Sequence, residues 1–225
     1  MPVFLNERQV GFDTTTVGFP TLGDCMAFVV QNTGGLYGFH LMPGDADKTA
    51  QFVQYVSNHI GFTGAWSGMF GTCHWQNRYG NTNHRDWWEK EMKSIANVLG
   101  YTGTVYGFNT GSGTGIKHGE TAYVEYRVAG GGACSVHYKR MSKVTAPTTL
   151  GKSAVSTSPD IQQIAKDQVA TKANFVPGKD VVPVYGLANR LDKGATASAR
   201  LTTVTKGNKG DFHEVKAKDL VALTV

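Results

Sequence analysis

Before residue 135 the apolar positions fall into short runs, broken by glycine clusters at 34–35, 111–115 and 130–132. Short apolar runs closed by turn residues predict strands joined by tight turns. Six such strands are expected, at 24–30, 36–42, 64–70, 104–108, 122–128 and 133–138. Val124, Tyr126 and Val128 alternate with Glu125 and Arg127. That period of two predicts a sheet wet on one face.

Two segments carry helical spacing instead. Phe52, Val53, Val56 and Ile60 share a stripe, with Asp45 or Asp47 placed to cap the first turn. Trp88, Met92, Ile95 and Leu99 form a second stripe, Glu89 and Lys93 pair at i,i+4 on another face, and Gly100 follows as a stop. Strands and helices in this irregular order predict an α+β fold, a layered mixed β-sandwich with two flanking helices.

The composition changes after Met141. Residues 142–158 are poor in large apolar side chains and rich in Ser, Thr, Lys and Pro, which predicts a linker at 145–158 between a first domain at 1–144 and a small, mostly β domain at 159–225. Within the second domain the pattern predicts a short helix at 159–171 and strands at 181–187, 197–205, 212–215 and 220–225.

With 225 residues, 40% hydrophobic and 17% charged, the chain can bury a full core, which excludes a disordered or collagenous protein. No apolar run approaches the ~18 residues of a membrane span, and the first residues lack the sections of a secretory leader. The expected location is the cytoplasm, or the cytoplasm of a target cell reached without a cleaved signal. Net charge is +5, from 11 Lys+Arg against 10 Asp+Glu up to residue 144 and 11 against 7 beyond it. Four surplus charges spread over the tail, with no basic run and no interleaved aromatics, are too dilute for a nucleic-acid footprint. The three cysteines, Cys25, Cys73 and Cys134, have no framework spacing and suit a reducing compartment.

Candidate chemistry concentrates between Thr21 and Gly44. Two strands flank the turn-prone residues Asn32, Thr33, Gly34 and Gly35, which predicts a β-hairpin. A turn at Asn32-Thr33 sets Cys25 opposite His40. A turn at Thr33-Gly34 leaves the two as diagonal neighbours on one face, and either register brings the Cβ atoms within roughly 5–8 Å. An intermediate register would put them on opposite faces. A thiol and an imidazole that close can act as nucleophile and base. The imidazole then needs an acceptor for its other N–H, either Thr21 or a backbone carbonyl. Backbone N–H groups near Gly23, Asp24 and Cys25 are the expected oxyanion donors. The competing expectation is an inert buried cysteine beside a structural histidine.

The pattern Thr-Leu-Gly-x-Cys, a short apolar strand, a Gly-rich turn and then Gly-x-His-x-Met-Pro resembles the active-site hairpin of the chemotaxis receptor deamidase family CheD, related in catalytic fold to the cytotoxic necrotizing factor toxins. The resemblance covers about residues 15–141 and includes the order of elements. It implies Cys25 as nucleophile, His40 as base and Thr21 as the third residue, in an enzyme that converts a glutamine side chain of a protein substrate to glutamate and releases ammonia. It implies no metal or organic cofactor. The tail has no counterpart in that family, which turns the expectation toward an effector or toxin, with the basic tail docking an acidic protein surface. Trp75 and Trp87 are the expected substrate contacts.

Rival readings are a noncatalytic protein-binding module on the same scaffold and a cysteine peptidase or amidase. The Asp-Cys-x-x-Phe start resembles NlpC-type amidases, but a gap of 15 residues from cysteine to histidine argues against them. Cys73-His74 and Cys134-x-x-His137 lack zinc-ligand spacing, and the glycine run at 111–115 lacks the Lys-Ser or Lys-Thr of a phosphate loop.

Overall fold

The structure is a computed structural model, and it describes residues 3–5, 7–45, 48–58, 65–128, 132–141, 162–164, 181–183 and 213–225. Three strands open the chain, β1 (Val3–Phe4), β2 (Gln9–Asp13) and β3 (Thr16–Leu22), before the expected hairpin of β4 (Met26–Asn32) and β5 (Gly35–Leu41). Then come α1 (Thr49–Asn58), β6 (Gly68–Cys73), the short α2 (Trp75–Tyr79), α3 (His84–Leu99), β7 (Thr104–Asn109), β8 (Thr121–Val128) and β9 (Cys134–Met141). The tail contributes β10 (Gln162–Ile164), β11 (Val181–Pro183), β12 (His213–Glu214) and β13 (Val221–Thr224).

These strands form two sheets, one in the order β11-β10-β2-β5-β4-β6-β7-β13 and the other β1-β3-β8-β9-β12. The larger sheet is covered on both faces. On one, Met26, Phe28, Val30, Tyr37, Phe39 and Leu41 pack with Phe52 and Val56 of α1 and with Trp88, Met92, Ile95 and Leu99 of α3. On the other, Cys25, Ala27, Val29 and Leu36 pack with Val17, Phe19, Val124, Tyr126 and Val136 of the second sheet. Helices, large sheet and small sheet therefore stack as three layers, a mixed α+β arrangement with two apolar cores. Double coverage explains why every residue of β4 and β5 is buried.

The hairpin turns at Thr33-Gly34. Asn32 builds the turn by accepting the N–H groups of Gly34 and Gly35 on Oδ1, at 2.8 and 3.1 Å. Gly35 has φ 147°, and a Cβ there would lie 2.6 Å from the Asp13 carbonyl oxygen, so no other residue fits without movement. The ladder runs from Asn32↔Gly35 to Met26↔Leu41, the second of the two registers left open by the sequence.

Helix α3 follows its expected stripe, with Trp88, Met92, Ile95 and Leu99 all buried, each burial contributing about 1.5–3 kcal/mol. It ends on Gly100 in the left-handed conformation, whose N–H satisfies the last carbonyls at Ala96 and Asn97. The i,i+4 ion pair on its exposed side is Arg85 with Glu89, at 2.9 Å, in place of the expected Glu89-Lys93. Glycines let the helix approach the sheet: a Cβ on Gly107 would lie 2.2 Å from the Trp88 ring.

Several expectations need correction. Strands β1 to β3 were not expected, because β3 carries Gly18 and Pro20 in its interior; Pro20 falls where the register with β8 shifts between Phe19 and Leu22, a position where a missing N–H is tolerated. The outer face of β8 is not wet, since Tyr123 and Glu125 are buried along with Val124 and Tyr126. The Tyr123 hydroxyl donates to Glu125 Oε2 at 2.5 Å, and Arg127 pairs with the other carboxylate oxygen.

The described strands of the tail join the two sheets: β10 pairs with β11 and with β2, β12 with β9 and β13 with β7. Residues 162–164, expected as helix, are strand. Asp47, Ile60, the linker at 145–158 and the runs at 184–187 and 197–205 lie outside the described residues. Among the described residues, no helix is long and apolar enough to cross a membrane.

Candidate active site

Ala27 pairs directly with His40, so Cys25, two residues earlier, lies on the same face as the imidazole and diagonal to it. That face looks into the core between the sheets. Cys25 is 1% exposed and His40 is fully buried, with the Phe19 ring edge-on to the imidazole at 6.1 Å.

The imidazole is held by the start of the chain. Nδ1 lies 2.8 Å from the Leu5 carbonyl oxygen, which can only accept, so Nδ1 carries the proton and Nε2 is the basic nitrogen. Leu5 is fixed in turn by its N–H donating to Gly18 O at 2.8 Å, and the Arg8 N–H donates to His40 O at 2.9 Å. Nε2 is buried and has no hydrogen-bond partner among the described residues. An unpaired buried acceptor costs about 1–3 kcal/mol and calls for an explanation.

Burial pushes His40 down to about 4, although its bond to Leu5 and the charge of Asp24 pull the other way. Burial also pushes the Cys25 thiol up, reinforced by the Asp24 carboxylate and opposed by the Arg78 guanidinium. The resting pair is therefore thiol and neutral imidazole. Sγ makes a long contact of 3.7 Å with Asp24 Oδ1, and no hydrogen bond joins Sγ to the imidazole.

The bend that delivers Cys25 is held by α2. His74 caps this helix by accepting the Asn77 N–H on Nδ1 at 3.3 Å. Asn77 Nδ2 then donates to Gly23 O at 3.1 Å, while its Oδ1 accepts from the Gly119 N–H at 3.0 Å. Arg78 Nη1 donates to Asp24 O and to Leu41 O, at 3.1 and 3.2 Å, and Nη2 donates to Met42 O at 3.3 Å. Glu91 of α3 grips the same guanidinium with both oxygens, at 2.9 and 2.6 Å, and also accepts the Tyr79 hydroxyl at 2.5 Å.

A peptide's N–H points opposite to its carbonyl. Anchoring the Gly23 and Asp24 carbonyls thus fixes the N–H groups of Asp24 and Cys25, rather than that of Gly23. Asp24 itself is exposed at the rim.

Thr21 belongs to β3 in the other sheet, and its side chain lies outside the described residues; the acceptor seen on His40 Nδ1 is the Leu5 carbonyl. Trp75 is 6% exposed and stacks on Trp88 at 5.6 Å, within the helical core. Trp87 is 52% exposed on α3, with Lys90 Nζ 4.6 Å from its ring centre, on the helical layer and not on the face that holds Cys25. Leu5, Asn77, Arg78 and Glu91 had no visible signal in the sequence, because their contacts depend on chain segments far apart.

Among the described residues, no group of three or more His, Cys, Asp or Glu side chains could hold a metal ion. Cys73 faces the helical core and Cys134 the core between the sheets. No family model matches the chain, and comparison with curated proteins gives no match.

Proposed function

We propose that the chain is a cysteine-dependent amidohydrolase of the CheD and cytotoxic necrotizing factor type, which deamidates a glutamine of a protein substrate. The observation that carries this reading is the state of His40: Nδ1 is committed to Leu5, and Nε2 is a buried, unpartnered base on the same face as Cys25. In this reading Nε2 takes the thiol proton as Sγ attacks the carboxamide carbon. The N–H groups of Asp24 and Cys25 receive the developing oxyanion. The imidazolium returns its proton to the departing ammonia, and water activated by His40 hydrolyses the thioester. The neutral resting pair suits this general-base route, in which no thiolate has to persist in the apolar core.

Sγ is almost without contact to solvent, so a glutamine side chain reaches it only when docking displaces the bend at Gly23-Asp24 or the adjoining loop. A protein partner, which spreads docking energy over a large surface, can drive that displacement better than free glutamine. An effector or toxin role in a target cytoplasm follows from the resemblance alone.

The test is incubation of the full chain with candidate cytosolic proteins, followed by ammonia assay and peptide mapping. A single glutamine converted to glutamate, and its loss in Cys25→Ala and Cys25→Ser, is the expected result. Conversion that persists in Cys25→Ala would sink the reading. The burial of both side chains favours a second one, a noncatalytic binding module; it predicts that Cys25→Ala keeps the full biological effect with no deamidated product.

A further inference from the structure

We infer that Arg78 is a positioning residue that joins the strand end bearing the thiol to the strand end bearing the imidazole and aims the Cys25 N–H. Its guanidinium is nearly sealed from solvent, with 2% side-chain exposure, yet its donors go to the main chain at Asp24, Leu41 and Met42 as well as to Glu91. Asp24 immediately precedes Cys25, and Leu41 and Met42 immediately follow His40. One planar, rigid side chain thus spans the ends of β4 and β5 where they leave the ladder at Met26↔Leu41. Asn77 holds the Gly23 carbonyl and Arg78 the Asp24 carbonyl, so the two side chains together orient the peptides that lead into Cys25.

The two-oxygen grip of Glu91, reinforced by Tyr79, keeps the guanidinium from turning. A buried arginine needs a counter-charge, and Glu91 meets that need. The three carbonyl contacts go beyond it, and all of them fall within two residues of the proposed pair. Because the cation also lies near Sγ, its removal disfavours thiolate at the same time as it loosens the bend.

The consequence for catalysis rests on the deamidase reading, whereas the geometry does not. The experiment is therefore carbamidomethylation of Cys25 by iodoacetamide across pH 7 to 10. It would be followed by mass mapping in the full-length protein, with thermal melting and the deamidation assay in parallel. With access divided out by the hydrogen exchange of the Cys25 amide, Arg78→Gln is expected to lower the Cys25 alkylation rate about tenfold and so move its pH profile upward, and Arg78→Lys to restore part of the rate. Glu91→Gln keeps the cation but weakens its grip, and is expected to give a smaller shift.

A merely structural staple changes access alone: alkylation in Arg78→Gln would rise in step with that exchange as the melting temperature falls, the profile unmoved once access is divided out, and that result overturns the inference. Should Arg78→Gln not fold, an unshifted profile in Glu91→Gln and Arg78→Lys overturns it equally. A shifted profile with no deamidation in the wild type removes the enzymatic reading and leaves Arg78 in place; deamidation with an unshifted profile does the reverse.

Discussion

The two faces of the β4–β5 hairpin differ in side-chain size and in polarity. Toward the helices stand Met26, Phe28, Val30, Tyr37, Phe39 and Leu41, large apolar groups locked by ring contacts such as Phe28 and Phe39 on Phe52, at 5.5 and 5.7 Å. Toward the other sheet stand Leu36 and, beside it, Cys25, Ala27, Val29, Gln31, Gly38 and His40, which apart from Leu36 are small or polar groups. The first face supplies apolar area. The second gives up area and in return lets a second backbone come close, so that Leu5 can reach the imidazole. Apolar bulk and the proposed chemistry thus lie on opposite sides of the same strands, and this division can be tested.

The largest effect is expected on the helical side. Trp88→Ala removes the largest fully buried side chain among the described residues, which fills the space above Gly107, and should cost about 3–5 kcal/mol in urea unfolding. A cost under about 1 kcal/mol would mean that the two cores do not divide the work as described.

On the other face the expected effect depends on pH. His40 resists protonation in the folded chain, to about 4, against an unfolded value near 6.5, so between those limits the unfolded chain binds the extra proton. The stabilising contribution is complete above about pH 6.5 and is lost as pH falls toward 4, on the order of 3 kcal/mol in all. His40→Gln should flatten that part of the stability profile. Identical slopes for the two proteins would show that the imidazole is not sealed in the core.

A smaller change is expected from Gly38→Ala. The new methyl would lie 2.6 Å from Val17 Cγ1 and 2.8 Å from Leu5 Cδ1, and overpacking of this kind costs about 1–3 kcal/mol. Because Leu5 carries the acceptor for His40, the same substitution should also shift the imidazole resonances in an NMR titration. A shift in stability alone would detach Leu5 from the site.

The hairpin, the helical stripe of α3 and the layered α+β class were legible in the sequence because each is written in local periodicity. So was the shared face of Cys25 and His40, given one of two turns. The opening strands were not, since Gly18 and Pro20 mask β3 and its partners are more than a hundred residues away in β8. The tail strands pair across comparable separations, and no pattern within 145–225 marks them as edges of sheets already formed. Arg78 was invisible for the same reason. A lone arginine between Trp75 and Tyr79 acquires these contacts only when the ends of two strands and helix α3 meet around it.

The parallel pairing of β1 with β3 reaches beyond architecture. Through Leu5, a two-residue strand dictates which tautomer the imidazole adopts, so the proton inventory of the buried pair is set by β1 and the residue that follows it. A boundary drawn just past that leucine would keep nearly every residue of both sheets and still leave the histidine without its instruction.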